Sequence, residues 1–265
     1  MKRLLEEMTR DEAQDAFQQG AMVVLPTGSM EQHGPHLPLI VDTAVVTHVA
    51  RAAAEQAAGQ VPVLVAPTVH YGVSHHHLPF AGTMSLTSRL YIESVKELVR
   101  CLRHHGVRQV VLLNGHGGNQ NPNGVIAHDL VNEEGLEMAI GQASYWTIAS
   151  QALIDAGARD VAPGFPGHAG GFETSLMLAL RPDLVELDRR RAPLTALTST
   201  VHAVEHGAFA RAGGTSDDAA GADAAAGQRL LTATITAVAS YLVEFYERTR
   251  RRTGGEENRG EENKA

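Results

Sequence analysis

The stretch Met22-Val23-Val24-Leu25-Pro26-Thr27-Gly28-Ser29-Met30-Glu31-Gln32-His33-Gly34-Pro35-His36-Leu37-Pro38, closed by Asp42, decides how this chain is read. Its first half is a short apolar run that suits a buried strand. Its second half puts Glu31, His33 and Asp42 in the loop that leaves the end of that strand. In an open α/β sheet this is where ligands bind. A carboxylate and an imidazole two residues apart, with a second carboxylate, suit zinc, manganese or iron. Gly34, Pro35 and Pro38 fix the loop without adding bulk. On this segment alone, the plainer reading of Glu31 and His33 as ordinary loop polars stays open.

Upstream, Thr9-x-x-Glu12 is a capping box for a short helix that ends near Gly20. Downstream, a helix over about 43–58 is expected, then a buried strand at 61–66. Residues 68–86 form a long loop containing Tyr71, His75-His76-His77 and Phe80-Ala81-Gly82. Its aromatic, glycine and proline content favours an ordered pocket lining. Adjacent side chains of an extended chain point opposite ways, so the three histidines are not expected to act together. Tyr91, Val95, Leu98 and Leu102 recur at helical spacing, giving an amphipathic helix over 87–104 stopped by Gly106. A third strand at 109–113 runs into Asn114-Gly115-His116-Gly117-Gly118-Asn119. A helix over 120–132, a strand near 137–144 and the pair Tyr145-Trp146 follow.

Residues 160–168 are a Pro/Gly-rich loop leading to His168, Glu173 and a helix through Leu180. Residues 213–227 read as a loop or weakly helical lead-in. Leu231, Ile235, Val238, Leu242 and Phe245 form one apolar stripe on the last helix, facing the body or another subunit. The alternation of strand and helix predicts a single α/β domain over residues 1–250. Its sheet is mostly parallel, with helices on both faces. Residues 251–265 are hydrophilic and are expected to be a disordered tail.

Composition bounds the function. The chain has 265 residues, 43% hydrophobic, enough for a sizeable core. A net charge of −8 argues against nucleic acid as the main partner. The single cysteine, Cys101, excludes an intrachain disulfide and reads as a buried small apolar residue. The N-terminal residues show no signal-peptide pattern, and no apolar run is long enough to span a membrane. The cytoplasm is therefore the expected compartment. Fourteen histidines raise the expectation of a metal site.

Three loops matter: 31–42, 114–119 and 163–173. The first two follow parallel strands, whose C-terminal ends lie on one edge of the sheet, so His116 is expected near Glu31, His33 and Asp42. The glycines around His116 leave room for a metal and a substrate. They lack the spacing of a dinucleotide fingerprint and the Lys-Ser/Thr of a phosphate loop.

The motif from Gly28 to Pro38 with Asp42, then Asn114-Gly115-His116, then Glu173-Thr174-Ser175-Leu176 resembles the creatininase (creatinine amidohydrolase) family over about residues 5–248. The resemblance implies an α/β fold, a binuclear metal site and a hexamer built as a trimer of dimers. It implies that Glu31 and His116 bind one divalent ion, that His33 binds the other and that Asp42 bridges them. It sets His168 beside the substrate and Trp146 over the pocket. The chain departs from creatininase itself at Gly117-Gly118, where that enzyme has a Tyr-Glu pair whose glutamate binds metal, and near Gly164, where a lid tryptophan is missing. Gly117-Gly118 matches other branches that act on formamides, a peptide precursor or keto-inositols. Glu173 is the expected replacement for the missing glutamate.

The expected function is hydrolysis of a small, cyclic amide by a metal-activated water, with two zinc, manganese or iron ions per chain. His168 and Glu173 are the candidate catalytic residues, and Trp146, His76, Gly117 and Gly118 the candidate substrate contacts. The alternatives are deformylation, peptide-amide or keto-inositol ring hydrolysis, and a metal-binding protein without turnover. The open glycine side of His116 argues against the last, because structural metal sites are closed.

Overall fold

Met22–Thr27 forms strand β1, buried along its whole length. It pairs in parallel with β2, Val63–Val65, on one side and with β3, Gln109–Asn114, on the other. β4, Ala139–Ser144, adds in parallel to β3, so the sheet order is β2-β1-β3-β4. Pro26 is tolerated in this central strand because β2 pairing ends at Val24 opposite Val65, so its missing N–H interrupts no ladder. The computed structural model describes residues 2–195 and 206–253.

Alternation along the strands builds two cores. Met22, Val24, Val63, Val65, Val111 and Leu113 face one side. There they pack on helices α2 (Val41–Ala57), α5 (Gly171–Leu180) and α6 (Ala224–Thr253), while α1 (Arg10–Gln18), α3 (Ser88–His104) and α4 (Gln120–His128) serve the opposite core. Val23, Leu25, Leu64, Val110 and Leu112 face the other side, against Ala16 of α1, Tyr91, Val95 and Val99 of α3, and Ile126 of α4. The expected doubly covered parallel sheet is thus the fold. From β1 the chain adds β2 on one side and then crosses to β3 on the other, so the strand order reverses between β1 and β3, and the loops after these two strands diverge and leave a crevice at their C-terminal ends.

Local signals act as read. Thr9 Oγ1 accepts from the Glu12 N–H at 3.3 Å, and Glu12 Oε2 accepts from the Thr9 N–H at 2.7 Å, closing the capping box of α1. The apolar stripe of α6 is turned inward, with Leu231, Val238 and Leu242 buried in the core shared with α2 and α5.

Four expectations need correction. Asp42 lies in the first turn of α2, which begins two residues earlier than expected, at Val41. The buried side of α3 is Tyr91, Val95, Val99 and Leu102, whereas Leu98 is 45% exposed. Cys101, on the same side as Leu98, is exposed rather than buried. Both border a groove between α3 and Phe17 of α1, which the short first helix leaves uncovered. Finally, α6 runs through Thr253, past the expected start of the tail at residue 251, and the rest of that tail lies outside the described residues.

Candidate metal centre

The C-terminal edge of the sheet ends in a row of polar residues. Thr27, Asn114 and Ser144 are register partners on β1, β3 and β4. Thr27 Oγ1 donates to Asn114 Oδ1 at 3.2 Å, and Asn114 Nδ2 donates to Ser144 Oγ at 2.9 Å. Asn114 also accepts from the His116 N–H at 3.1 Å and donates to the His116 carbonyl at 2.7 Å, which fixes the backbone that carries the imidazole. Gly28 brings the first loop close to α2. A Cβ there would lie 2.8 Å from Thr43 Cα and 2.5 Å from Thr43 Oγ1. That close approach sets Asp42 beside Glu31.

The two carboxylates meet two imidazoles whose outer nitrogens are already engaged. The His33 Nδ1–H donates to the Glu31 carbonyl at 3.1 Å, leaving Nε2 to face Asp42 Oδ1 at 3.1 Å and Glu173 Oε2 at 3.8 Å. His116 is held the other way round. Its Nε2 lies 3.1 Å from both the Val73 carbonyl and Ser74 Oγ, so that nitrogen carries the ring proton. Its Nδ1 then faces Asp42 Oδ2 at 3.0 Å and Glu31 Oε2 at 3.3 Å. Ring nitrogens pinned by backbone carbonyls are the usual support of metal-binding histidines.

Burial disfavours charge on all these groups, and their neighbours overcome it. Burial pushes Glu31 up, but His116, then His77 and His33, hold its carboxyl far below the usual range. Burial lowers His33 and His116, but Asp42 and Glu173 around the first, and Glu31 and Asp42 around the second, raise both well above the ordinary value. The pocket therefore demands positive charge. Glu31 Oε2 and Asp42 Oδ2 are fully buried and have no hydrogen-bond partner. Carboxylate oxygens without hydrogen-bond partners, set beside imidazole nitrogens, would suit divalent cations that replace the ring protons, and the mixed N/O donor set suits zinc, manganese or iron.

Glu173 stands at the start of α5, where the helix dipole favours a carboxylate. Its Oε2 accepts from the Ala169 N–H at 2.6 Å. Ala169, between His168 and the helix, adopts a left-handed backbone, φ 54°. Glu173 approaches His33 rather than His116. Its carboxylate, the expected replacement for a glutamate at position 118, lies on the His33 side of the cluster.

His168 Nε2 lies 3.1 Å from the Gln32 carbonyl, to which it donates, and its Nδ1 lies 3.8 Å from Glu31 Oε1. Its backbone is held on both sides by Ser216: the His168 N–H donates to Ser216 Oγ at 2.8 Å, and the Ser216 N–H donates to the His168 carbonyl at 3.0 Å. Burial, then His33 and His77, push His168 well below the ordinary imidazole value. It is neutral near pH 7, with an Nδ1 lone pair directed into the site.

These residues open onto a cavity of about 620 Å³, also lined by Trp146, His76, Gly117, Gly118, Phe172 and Phe209. All the residues expected at the site therefore converge on it. Four neighbours were missed. His77 faces Glu31 Oε1 at 3.4 Å, although neighbouring histidines were expected to diverge. Residues His75–His77 form a 3-10 turn rather than extended chain, which sends His76 and His77 to the same cavity. Gln32 bridges His77, His168 and Gly214, and only its place between Glu31 and His33 hinted at this. Phe209 and Ser216 come from a segment with no periodic or motif signal.

The sequence model of the creatininase family, described as creatinine amidohydrolase, matches residues 6–242. The mycofactocin precursor peptide peptidase of Mycobacterium tuberculosis is 34% identical over 223 residues, 80% of this chain and 81% of that protein. The creatinine amidohydrolase of Pseudomonas putida is 34% identical over 191 residues, 63% of this chain and 67% of that protein. The solved structure named Creatininase Mn superposes with a TM-score of 0.77 at 31% identity, covering 93% of this chain and 99% of that one. With the buried Glu31-His33-Asp42-His116 cluster at the β1/β3 crevice, these matches show that the chain belongs to the creatininase family of amidohydrolases.

Proposed function

We propose that the chain is a metal-dependent amidohydrolase that cleaves the C–N bond of a small amide. The observation that carries this reading is the pair of buried, unpartnered oxygens, Glu31 Oε2 and Asp42 Oδ2, set against His33 Nε2 and His116 Nδ1. Glu31, His33, Asp42, His116 and Glu173 would hold two divalent ions, with Asp42 turning one oxygen to each imidazole. Such ions, when bound, activate water and polarise a carbonyl.

The chain's own groups supply the remaining steps. His168 is neutral at pH 7, and its Nδ1 is free to take a proton from water and return it to the leaving nitrogen. Its Nε2–H bond to the Gln32 carbonyl keeps the ring in the tautomer this needs. Gly117 and Gly118 line the same cavity, and their N–H groups would serve as donors to a developing oxyanion. Trp146, Phe172 and Phe209 give an apolar wall that excludes water and suits a flat, cyclic amide. A peptide amide is the second reading, favoured by the 80% coverage of this chain by the peptidase relative.

The test is Asp42→Asn, which keeps the side-chain volume and removes the charge. Bound metal is expected to fall from about two ions per chain, and hydrolysis across a panel of cyclic amides, formamides and peptides to disappear. A variant that keeps both ions and its turnover refutes the reading.

A further inference from the structure

We propose that His76 is a ligand of the ion held by Glu31 and His116, so that the 68–86 loop completes that half of the centre. The inference rests on the metal-dependent reading above and concerns which residues supply the donors.

Each half has three protein donors, and each leaves room for a further one. His33 shares its half with Asp42 and Glu173. His116 has Asp42 and Glu31, and Glu173 is turned away toward His33. No side chain enters from position 118. A Cβ on Gly118 would lie 2.1 Å from the Val73 carbonyl oxygen and 2.5 Å from His116 Nε2. A fourth protein donor on this half, beyond His116, Asp42 and Glu31, must come from elsewhere.

His77 is near but committed. The Gln32 side-chain amide is oriented by two backbone partners: its Oε1 accepts from the Gly34 N–H at 2.9 Å, and its Nε2 donates to the Gly214 carbonyl at 2.6 Å. The second amide hydrogen is aimed at His77 Nδ1, 2.9 Å away. His77 therefore carries its proton on Nε2 and presents it to Glu31 Oε1, as a hydrogen-bond donor and not as a lone pair. His168 also faces Oε1, the carboxylate oxygen turned away from His116.

His76 has neither commitment. Its ring makes no hydrogen bond among the described residues. One of its nitrogens lies within 4.8 Å of ligand atoms of both Glu31 and His116. The ring is parallel to His116, at 6.0 Å and 6°, and packs on His77 at 4.2 Å and Phe209 at 5.2 Å. The same loop grips His116 from behind through Val73 and Ser74. The tight turn at 75–77 then carries His76 round to the ligand side, while His75 turns away to Ser85 Oγ at 2.8 Å.

The experiment uses the full chain, stripped and reloaded with Co2+. Binding is read by chelator competition and coordination by the visible absorption of the ion. His76→Phe keeps the ring packing and removes both nitrogens; His76→Glu puts a donor back. The expected result is one ion bound as in wild type and the other weakened beyond the ~10–100-fold that loss of a supporting partner costs. The cobalt spectrum should change with it, and His76→Glu should recover most of the affinity. Unchanged affinity in His76→Phe overturns the proposal. So does weaker binding with an unchanged spectrum, which would mean that the ring only packs. A wild-type chain that takes up no ion refutes the metal-dependent reading itself, a separate outcome.

Discussion

Replacing Gly118 by alanine tests how tightly the 73–74 segment is closed over His116. The added Cβ would sit 2.1 Å from the Val73 carbonyl oxygen and 2.5 Å from His116 Nε2, inside the hydrogen bond that joins them at 3.1 Å. Val73 O belongs to the backbone and His116 is 3% exposed, so neither can swing aside freely. Overpacking a closed site costs about 1–3 kcal/mol. Breaking the hydrogen bond adds ~0.5–1.5 kcal/mol. Together the loss is about 3 kcal/mol, and at roughly 2–4 °C per kcal/mol the melting temperature falls by roughly 6–12 °C. Gly117→Ala is the internal control, because nothing lies within 4 Å of a Cβ there. It should be neutral, or stabilising by ~0.4–1 kcal/mol through the unfolded chain. Thermal melts in chelator read the effect without metal linkage, and metal titration afterwards reads the displacement of His116. Equal melting temperatures for the two variants would show that the loop yields and that the steric argument is wrong.

His168→Asn should leave metal content and melting temperature near wild type while kcat falls by ~10²–10⁴-fold, with one limb of the pH–rate profile flattened; an unchanged kcat removes His168 from the chemistry. Tyr91→Phe deletes the donor to buried Asn123 Oδ1, a 2.8 Å bond, and should cost about 1–3 kcal/mol in denaturant melts because that oxygen is left unpaired. Arg100, then Lys96, hold Glu134 down to about 2 from an ordinary 4.5. Its folded value is depressed, so its contribution is present above pH 4.5 and is lost as pH falls toward 2. The stability gap between wild type and Glu134→Gln should close over that window, and a gap constant down to pH 2 would contradict the pairing.

Much of the fold was legible because its signals are local or periodic. The capping box, the apolar strand runs and the stripe on α6 each needed only neighbouring residues. The convergence of Glu31 and His116 was legible because parallel strands end on one edge, so His116 had to arrive beside Glu31. What escaped depended on packing or backbone turn type. Leu98 and Val99 are both apolar and one position apart, and only the gap beside the short α1 shows that Leu98 is the uncovered one. His76 and His77 converge through a 3-10 turn that the sequence does not announce. Phe209 and Ser216 reach the cavity from a segment whose partners lie far away along the chain.

The clasp of Ser216 on His168 also dates the site within the life of the molecule. The two residues are 48 positions apart. At ~5–20 residues per second a ribosome takes about 2–10 s to add that interval. Through it, the nascent chain already carries Glu31, His33, Asp42 and His116 but lacks the Ser216 clasp on the His168 backbone, leaving that residue only its Gln32 contact. On the metal-dependent reading, every charged residue of the cluster is therefore synthesised before the residue that fixes the His168 backbone.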